Sequence, residues 1–261
     1  MSKEKEIAEK KESQIALLDN YFEEEAVTGF EDMGKEDLAL PFLKVMTNMS
    51  PELESVDGAK VGMLFNSVTG DLYAGDEGLK VIPCAYLRQY IEWTPRGSGS
   101  GLVGIHSATS DILSKTHKQP QDNKDYLDNG NYVENTANYY IMYLDGDGFP
   151  VPAIISMKST QLKKSRKWNS MMSSVKMQGA NGLFTPPMFS QVYRVATVKE
   201  QNDKGSWHGW DISRIGKIED ASIYQLAKEF AASIGAGEVK VKFDGEETAT
   251  NKTEEDNDNI F

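Results

Sequence analysis

Between Val61 and Ile215 the apolar residues fall in short runs broken by turn signals, a pattern of strands. Val61 to Phe65 is one such run, closed by the turn Thr69-Gly70-Asp71. Leu79 to Trp93 reads as a long strand, and Pro83 within it predicts an edge or a bulge. Tyr139–Leu144 and Pro150–Met157 flank Asp145-Gly146-Asp147-Gly148, a hairpin signal. Gln191–Glu200 and Ser206–Ile215 flank Gln201-Asn202-Asp203-Lys204-Gly205, a second hairpin. The polar stretch from about Ser107 to Thr136 reads as an excursion between strands.

Helical periodicity is confined to a few places. Residues 3–26 form a charged pattern with a thin stripe of Ile7, Ile15, Leu18 and Phe22, and Gly29 and Gly34 discourage its continuation. Leu38 to Met49 reads as a short helix with Pro41 in its first turn. Thr160 is placed to cap a helix reaching about Met177, with Trp168, Met171, Met172 and Val175 on one face. Lys163, Arg166 and Lys167 lie roughly opposite, and Lys164 falls on the apolar side. Asp220 caps a second pattern of Ile223, Leu226, Phe230 and Ile234, ended by Gly235. Many strands, few helices and no strand–helix alternation predict a mainly β or α+β fold, in the manner of a barrel.

Charge sharpens this picture. The chain carries a net −12, which at first argues against a nucleic-acid partner. The acidity sits at the ends, however: residues 1–38 sum to −7 and 243–261 to −6, leaving the middle at +1. That middle is locally basic, as a phosphate-binding face requires. A hydrophobic content of 39% is enough for a packed core. No run nears the roughly 18 apolar residues of a membrane span, and the first residues lack a signal-peptide core. A cytoplasmic protein is expected, with no membrane partner. Cys84 is the single cysteine, which excludes an internal disulfide and a multi-cysteine metal site.

Three segments pair cations with aromatic rings, the two requirements for gripping single strands. The first holds Arg88, Tyr90, Trp93 and Arg96; on a strand, Arg88 and Tyr90 share a face and Trp93 opposes them. The second holds Lys158, Lys163, Lys164, Arg166 and Lys167 close to Trp168, whose helical spacing favours a core role. The third is the second hairpin, with Tyr193, Arg194, Lys199, Lys204, Trp207, Trp210 and Arg214. Catalytic signals are weak. His106, His117 and His208 are scattered and read as solvated surface. Gly97-Ser-Gly-Ser-Gly101 lacks the Gly-Lys-Ser/Thr ending of a phosphate loop. Asp145 and Asp147 begin like a calcium loop, but Phe149 takes the third ligand position. No catalytic residue, metal or cofactor is expected.

From Asp244 the composition predicts a disordered acidic tail, yet it ends on Ile260-Phe261. An apolar tip behind Asp256 and Asp258 suits docking into a basic-rimmed pocket, and the same tail is placed to compete with DNA phosphates. The ending Asp256-Asn257-Asp258-Asn259-Ile260-Phe261 resembles the tails of bacterial single-stranded-DNA-binding proteins and their T7-type phage counterpart. Ile260 stands where the bacterial form usually has Pro. Pro41-Phe-Leu-Lys-Val45, Tyr90-Ile-Glu-Trp-Thr-Pro-Arg96 and Ser165-Arg-Lys-Trp-Asn169 resemble the bodies of the phage proteins. The resemblance implies an OB-like β-barrel core with appended helices.

These readings divide the chain into an acidic helical segment 1–37, a DNA-binding core 38–242 and the tail 243–261. The function expected is non-enzymatic binding and protection of single-stranded DNA, without strong sequence preference, in phage replication or recombination. Replication or recombination proteins are the expected partners of the tail, and self-association is left open. A strand-annealing recombination protein and a virion or interaction protein that binds no DNA are the alternatives.

Overall fold

The computed structural model describes residues 15, 18, 20–34, 37–95, 101–120, 122, 124–203 and 205–237. They fall into two units that divide after Leu38. In the first, residues 20–24 are helical, and the Glu25 N–H donates to the Tyr21 carbonyl at 3.0 Å as the backbone turns.

The second unit is mainly β. Its strands are β1 (Leu43–Val45), β2 (Leu64–Asn66), β3 (Leu72–Tyr73), β4 (Leu79–Trp93), β5 (Leu102–Ser107), β6 (His117–Lys118) and β7 (Asp125–Tyr126). They continue with β8 (Tyr132–Leu144), β9 (Pro150–Lys158), β10 (Met177–Gly179), β11 (Gly182–Phe184), β12 (Gln191–Asn202) and β13 (Gly205–Lys217). The helices are α1 (Glu52–Ser55), α2 (Leu162–Ser174) and α3 (Ala221–Gly235). The large antiparallel sheet runs β13-β12-β4-β8-β7-β6, with β5 also on β4 and β9 also on β8. It curls into a half-barrel, so the OB-like expectation holds at that level.

Burial on both faces of the central strands explains their unbroken apolar sequence. On β8, Tyr139, Ile141 and Tyr143 enter the interior with Val81, Ile155, Val195 and Trp168. Met142 and Tyr140 face the other way, under Ala227, Phe230 and Ile234 of α3. The Asp220 carboxylate caps α3 as expected, accepting from Ser222 N–H at 2.8 Å and Ile223 N–H at 3.0 Å. Pro83 lies at a bulge, where the β4–β8 register shifts between Pro83 and Ala85. The extra residue reverses the alternation, so that Val81 and Tyr86 both meet the interior.

A small sheet, β1-β2-β3, extends the curl. Phe42 bridges Ile154 in parallel, and the Ile154 N–H donates to the Pro41 carbonyl at 2.8 Å. The helix expected over Leu38–Met49 is therefore a strand. Extended backbone sends Leu43 into the core, a partner that local propensity does not see. Beyond Val195, where β4 stops pairing with β12, the chain after β3 takes over. There Thr197 N–H donates to Gly75 O at 2.7 Å and its hydroxyl to Gly62 O at 2.5 Å. A Cβ on Gly75 would lie 1.8 Å from Gly62 O, so glycine alone fits this approach.

Helix α2 also differs from expectation. It starts at Leu162, and no side chain caps it: Thr160 sits in a 3-10 turn over Ser159–Gln161. It stops at Ser174, and Met177 belongs to the hairpin β10–β11. Its inward face is Trp168 and Met172, joined by a buried Ser165. The polar stretch 107–136 holds a 3-10 turn at Ile112–Lys115 and two short strands, and β8 already begins at Tyr132. Among the described residues no helix is long and apolar enough to cross a membrane.

Candidate nucleic-acid interface

Strand β13 is an edge of the large sheet, with β12 as its ladder partner. Its other side looks across a seam towards β1 and the end of β9. The Trp210 N–H, aimed into that seam, donates to Gln161 Oε1 at 3.1 Å rather than to another strand. The seam holds a cavity of about 570 Å³. Phe42, Trp93 of β4, Trp207 and Trp210 are among the residues that line it. Lys44, Lys158 and His208 add cationic or titratable groups, and Glu134 a carboxylate. Three of the four tryptophans thus converge from two strands, Trp93 from β4 and Trp207 and Trp210 from β13. Trp210 is buried and forms a floor, whereas Phe42, Trp93 and Trp207 are half-buried.

Local structure fixes each group. Lys158 Nζ pairs with Glu134 Oε2 at 2.8 Å. Lys44 Nζ lies 5.9 Å from the centre of the Phe42 ring. Trp93, like Phe42, packs against Ile91 and Leu102, and its buried indole N–H has no acceptor among the described residues. Trp207 donates its indole N–H to Glu200 Oε2 at 3.0 Å. Hollows continue the seam on both sides. One holds Trp207, Lys163 and Lys164; another holds Trp207, His208 and Lys199; a third, beyond Glu134 and Thr160, holds Lys118, Lys124 and Tyr132.

The three predicted segments each send part of their residues here. Trp93, Lys158 and Trp207 meet in the seam, and Lys163 and Lys199 flank it. Arg166 and Lys167 are exposed on α2 and form no ion pair among the described residues. The others lie elsewhere. Tyr193 is 0% exposed in the core, packed edge-to-face with Trp168 at 5.7 Å between ring centres, so it offers no face for stacking. Tyr90 is buried against Ile112 and Val133, with the exposed Arg88 guanidinium 5.3 Å above its ring. Arg194 grips the loop before β4 through the carbonyls of Glu77, at 2.8 Å, and Asp76. Arg214 binds Gln191 Oε1 at 2.9 and 2.7 Å. Lys164 pairs with Glu200 Oε1 at 2.7 Å, which explains its place on the apolar side of α2. Arg96, Lys204, Asp256, Asp258, Ile260 and Phe261 lie outside the described residues.

Sequence reasoning missed Phe42, Lys44 and His208. The first two were hidden by the helical reading of residues 38–49; the alternation of Phe42 and Lys44 with Leu43 and Val45 is the strand signal that would have found them. His208 is a correction too, since it lines the seam beside Trp207 instead of being freely solvated. His106 is also partnered: its Nε2 lies 3.0 Å from Glu92 Oε2. Burial alone would raise the Glu92 carboxyl, but hydrogen bonds from Asn131, at 2.6 Å, and from His106 and Asn129 outweigh it and hold it below the usual range. His117 is exposed, 3.9 Å from Asp128. Among the described residues no three His, Cys, Asp or Glu converge as a metal site.

These features define a mainly β protein with a half-barrel that is open along one aromatic-lined seam. A family model described as Pam3 phage gp34-like protein matches residues 9–240, and the chain belongs to that family. Comparison with curated proteins and with solved structures returned no match.

Proposed function

We propose that this protein binds single-stranded nucleic acid, DNA in the first instance, along the seam of its half-barrel. The observation that supports this most is the meeting of Phe42, Trp93, Trp207 and Trp210 with Lys44 and Lys158 in one groove. Bases stack on ring faces whatever their sequence, and cations beside them replace phosphate counterions. Unpaired bases can reach such rings, whereas the bases of a duplex are already stacked on one another, so a preference for single strands is expected. The proposal extends to protection or annealing of single strands in phage replication and recombination, two roles that a strand-annealing assay separates.

The test is quenching of tryptophan fluorescence by oligo-dT in low salt. Strong quenching that fades as salt rises, and weaker binding of duplex of the same length, are expected. No quenching at low salt, or equal affinity for duplex, overturns the reading.

A further inference from the structure

Beside this proposed groove, in the hollow that Trp207 shares with Lys163 and Lys164, the Glu200 carboxylate is placed where a nucleic-acid site has least use for it. Glu200 sits opposite Trp207 in the β12–β13 ladder. Its two oxygens do different work. Oε2 accepts the Trp207 indole N–H at 3.0 Å, and Oε1 meets Lys164 Nζ of α2 at 2.7 Å. Both charged side chains are about one quarter exposed, 26% for Lys164 and 28% for Glu200, so the pair is shielded more than a surface ion pair. Space for the carboxylate comes from a missing side chain. A Cβ on Gly209 would lie 2.4 Å from Glu200 Oε2 and 3.0 Å from Gln161 Nε2. Gln161 in turn holds the Trp210 N–H. Trp207 is also the residue shared by the seam and the hollows on either side of β13.

We propose that Glu200 is a positioning residue and a brake for the groove. It fixes the edge of the Trp207 ring so that the ring face stays presented, and it occupies Lys164 so that this cation is withheld from phosphate. The inference rests on the nucleic-acid reading of the seam. The two tasks of the carboxylate are chemically separable. An amide oxygen still accepts the indole N–H but carries no charge to hold an ammonium. A methyl group does neither.

Oligo-dT titrations of the full chain therefore distinguish the variants. Glu200→Gln should bind several-fold more tightly than the wild type. Its log–log salt slope should be steeper by about 0.7, the value of one further neutralised phosphate on a single strand. Lys164→Met should leave the wild-type slope unchanged and should cancel the gain of Glu200→Gln. Glu200→Ala should bind more weakly than Glu200→Gln and quench less, because its Trp207 ring is no longer held. If removal of negative charge were the whole effect, Ala and Gln would tighten binding alike; that result overturns the positioning role. An unchanged slope for Glu200→Gln overturns the brake. Near-ultraviolet circular dichroism without DNA gives an independent reading, with Gln like the wild type and Ala altered at the tryptophan bands. If the wild type fails to bind DNA, the groove reading falls. The dichroism then still decides whether Glu200 holds Trp207.

Discussion

Trp168 and Trp207 stand in similar stretches of sequence, and the fold gives them opposite settings. Trp168 follows Lys163, Lys164, Arg166 and Lys167; Trp207 follows Lys199 across a turn. Yet Trp168 is 0% exposed, stacked on Tyr139 at 4.3 Å and 26°. The Tyr139 hydroxyl, with one hydrogen to donate, lies 2.8–3.0 Å from Ser165 O, Ser165 Oγ and Asn169 Oδ1, tying α2 to β8. Trp207 is held by a single hydrogen bond at the open seam, with one side facing a cavity. A cation beside a tryptophan in sequence thus says little about use. What decides is whether another element covers the ring.

The largest expected effect breaks the closed region. Trp168→Ala should destabilise the fold by about 3–5 kcal/mol, the range for truncating a buried aromatic, in urea unfolding followed by far-ultraviolet circular dichroism. Trp207→Ala should cost roughly 1 kcal/mol or less in the same measurement. Equal losses would show that the two rings share one role.

Binding should reverse that order. Trp207→Ala and Trp93→Ala should each lose about 1–3 kcal/mol of oligo-dT affinity, the worth of one stacked base. A lesser expected change comes from Lys163, Arg166 and Lys167. Replaced together by Ala, they should lower the log–log salt slope by about 0.7 for each phosphate that they neutralise in the wild type. An unchanged slope would mark the exposed face of α2 as solvated surface outside the path of the strand.

The closed region was the more legible in sequence. The strands β4, β8, β9, β12 and β13 and the helix α3 were visible in alternation, turn residues and the Asp220 cap. Pro83 announced its bulge. The interior place of Trp168 followed from its spacing with Met172. The seam was legible in parts, through Trp93, Lys158 and Trp207, but their convergence was not. It depends on how far the sheet curls and on which edge stays unpaired, and neither leaves a local mark. Phe42 and Lys44 were lost because a three-residue strand around Leu43 is too short to outweigh helical propensity. Tyr193 and Tyr90 were misleading because alternation tells which residues share a face but not which face is covered.

The smallest expected effect sharpens the contrast through pH. Burial pushes the Cys84 thiol up to about 12, against a lesser lowering by a hydrogen bond from the Met142 backbone. In the unfolded chain the thiol ionises near its ordinary value of about 8.5. A group raised in the folded state contributes stability that is whole below its unfolded pKa and is lost as pH climbs towards the folded one. Stability should therefore begin to fall above about pH 8.5, by about 1 kcal/mol over the next unit. Tyr73, Tyr139, Tyr140 and Tyr193, all raised by burial, should steepen the fall from about pH 10 upward. Cys84→Ala should remove the first part of the decline and leave the second. Trp207→Ala, which touches only the seam, should keep the full wild-type profile. Urea midpoints at pH 8, 9 and 10 measure this. Burial of Cys84 beneath α3, with Ile82, Met142 and Ala227, is not the source of the alkaline loss if Cys84→Ala and the wild type fall in parallel from pH 8 to 9.5.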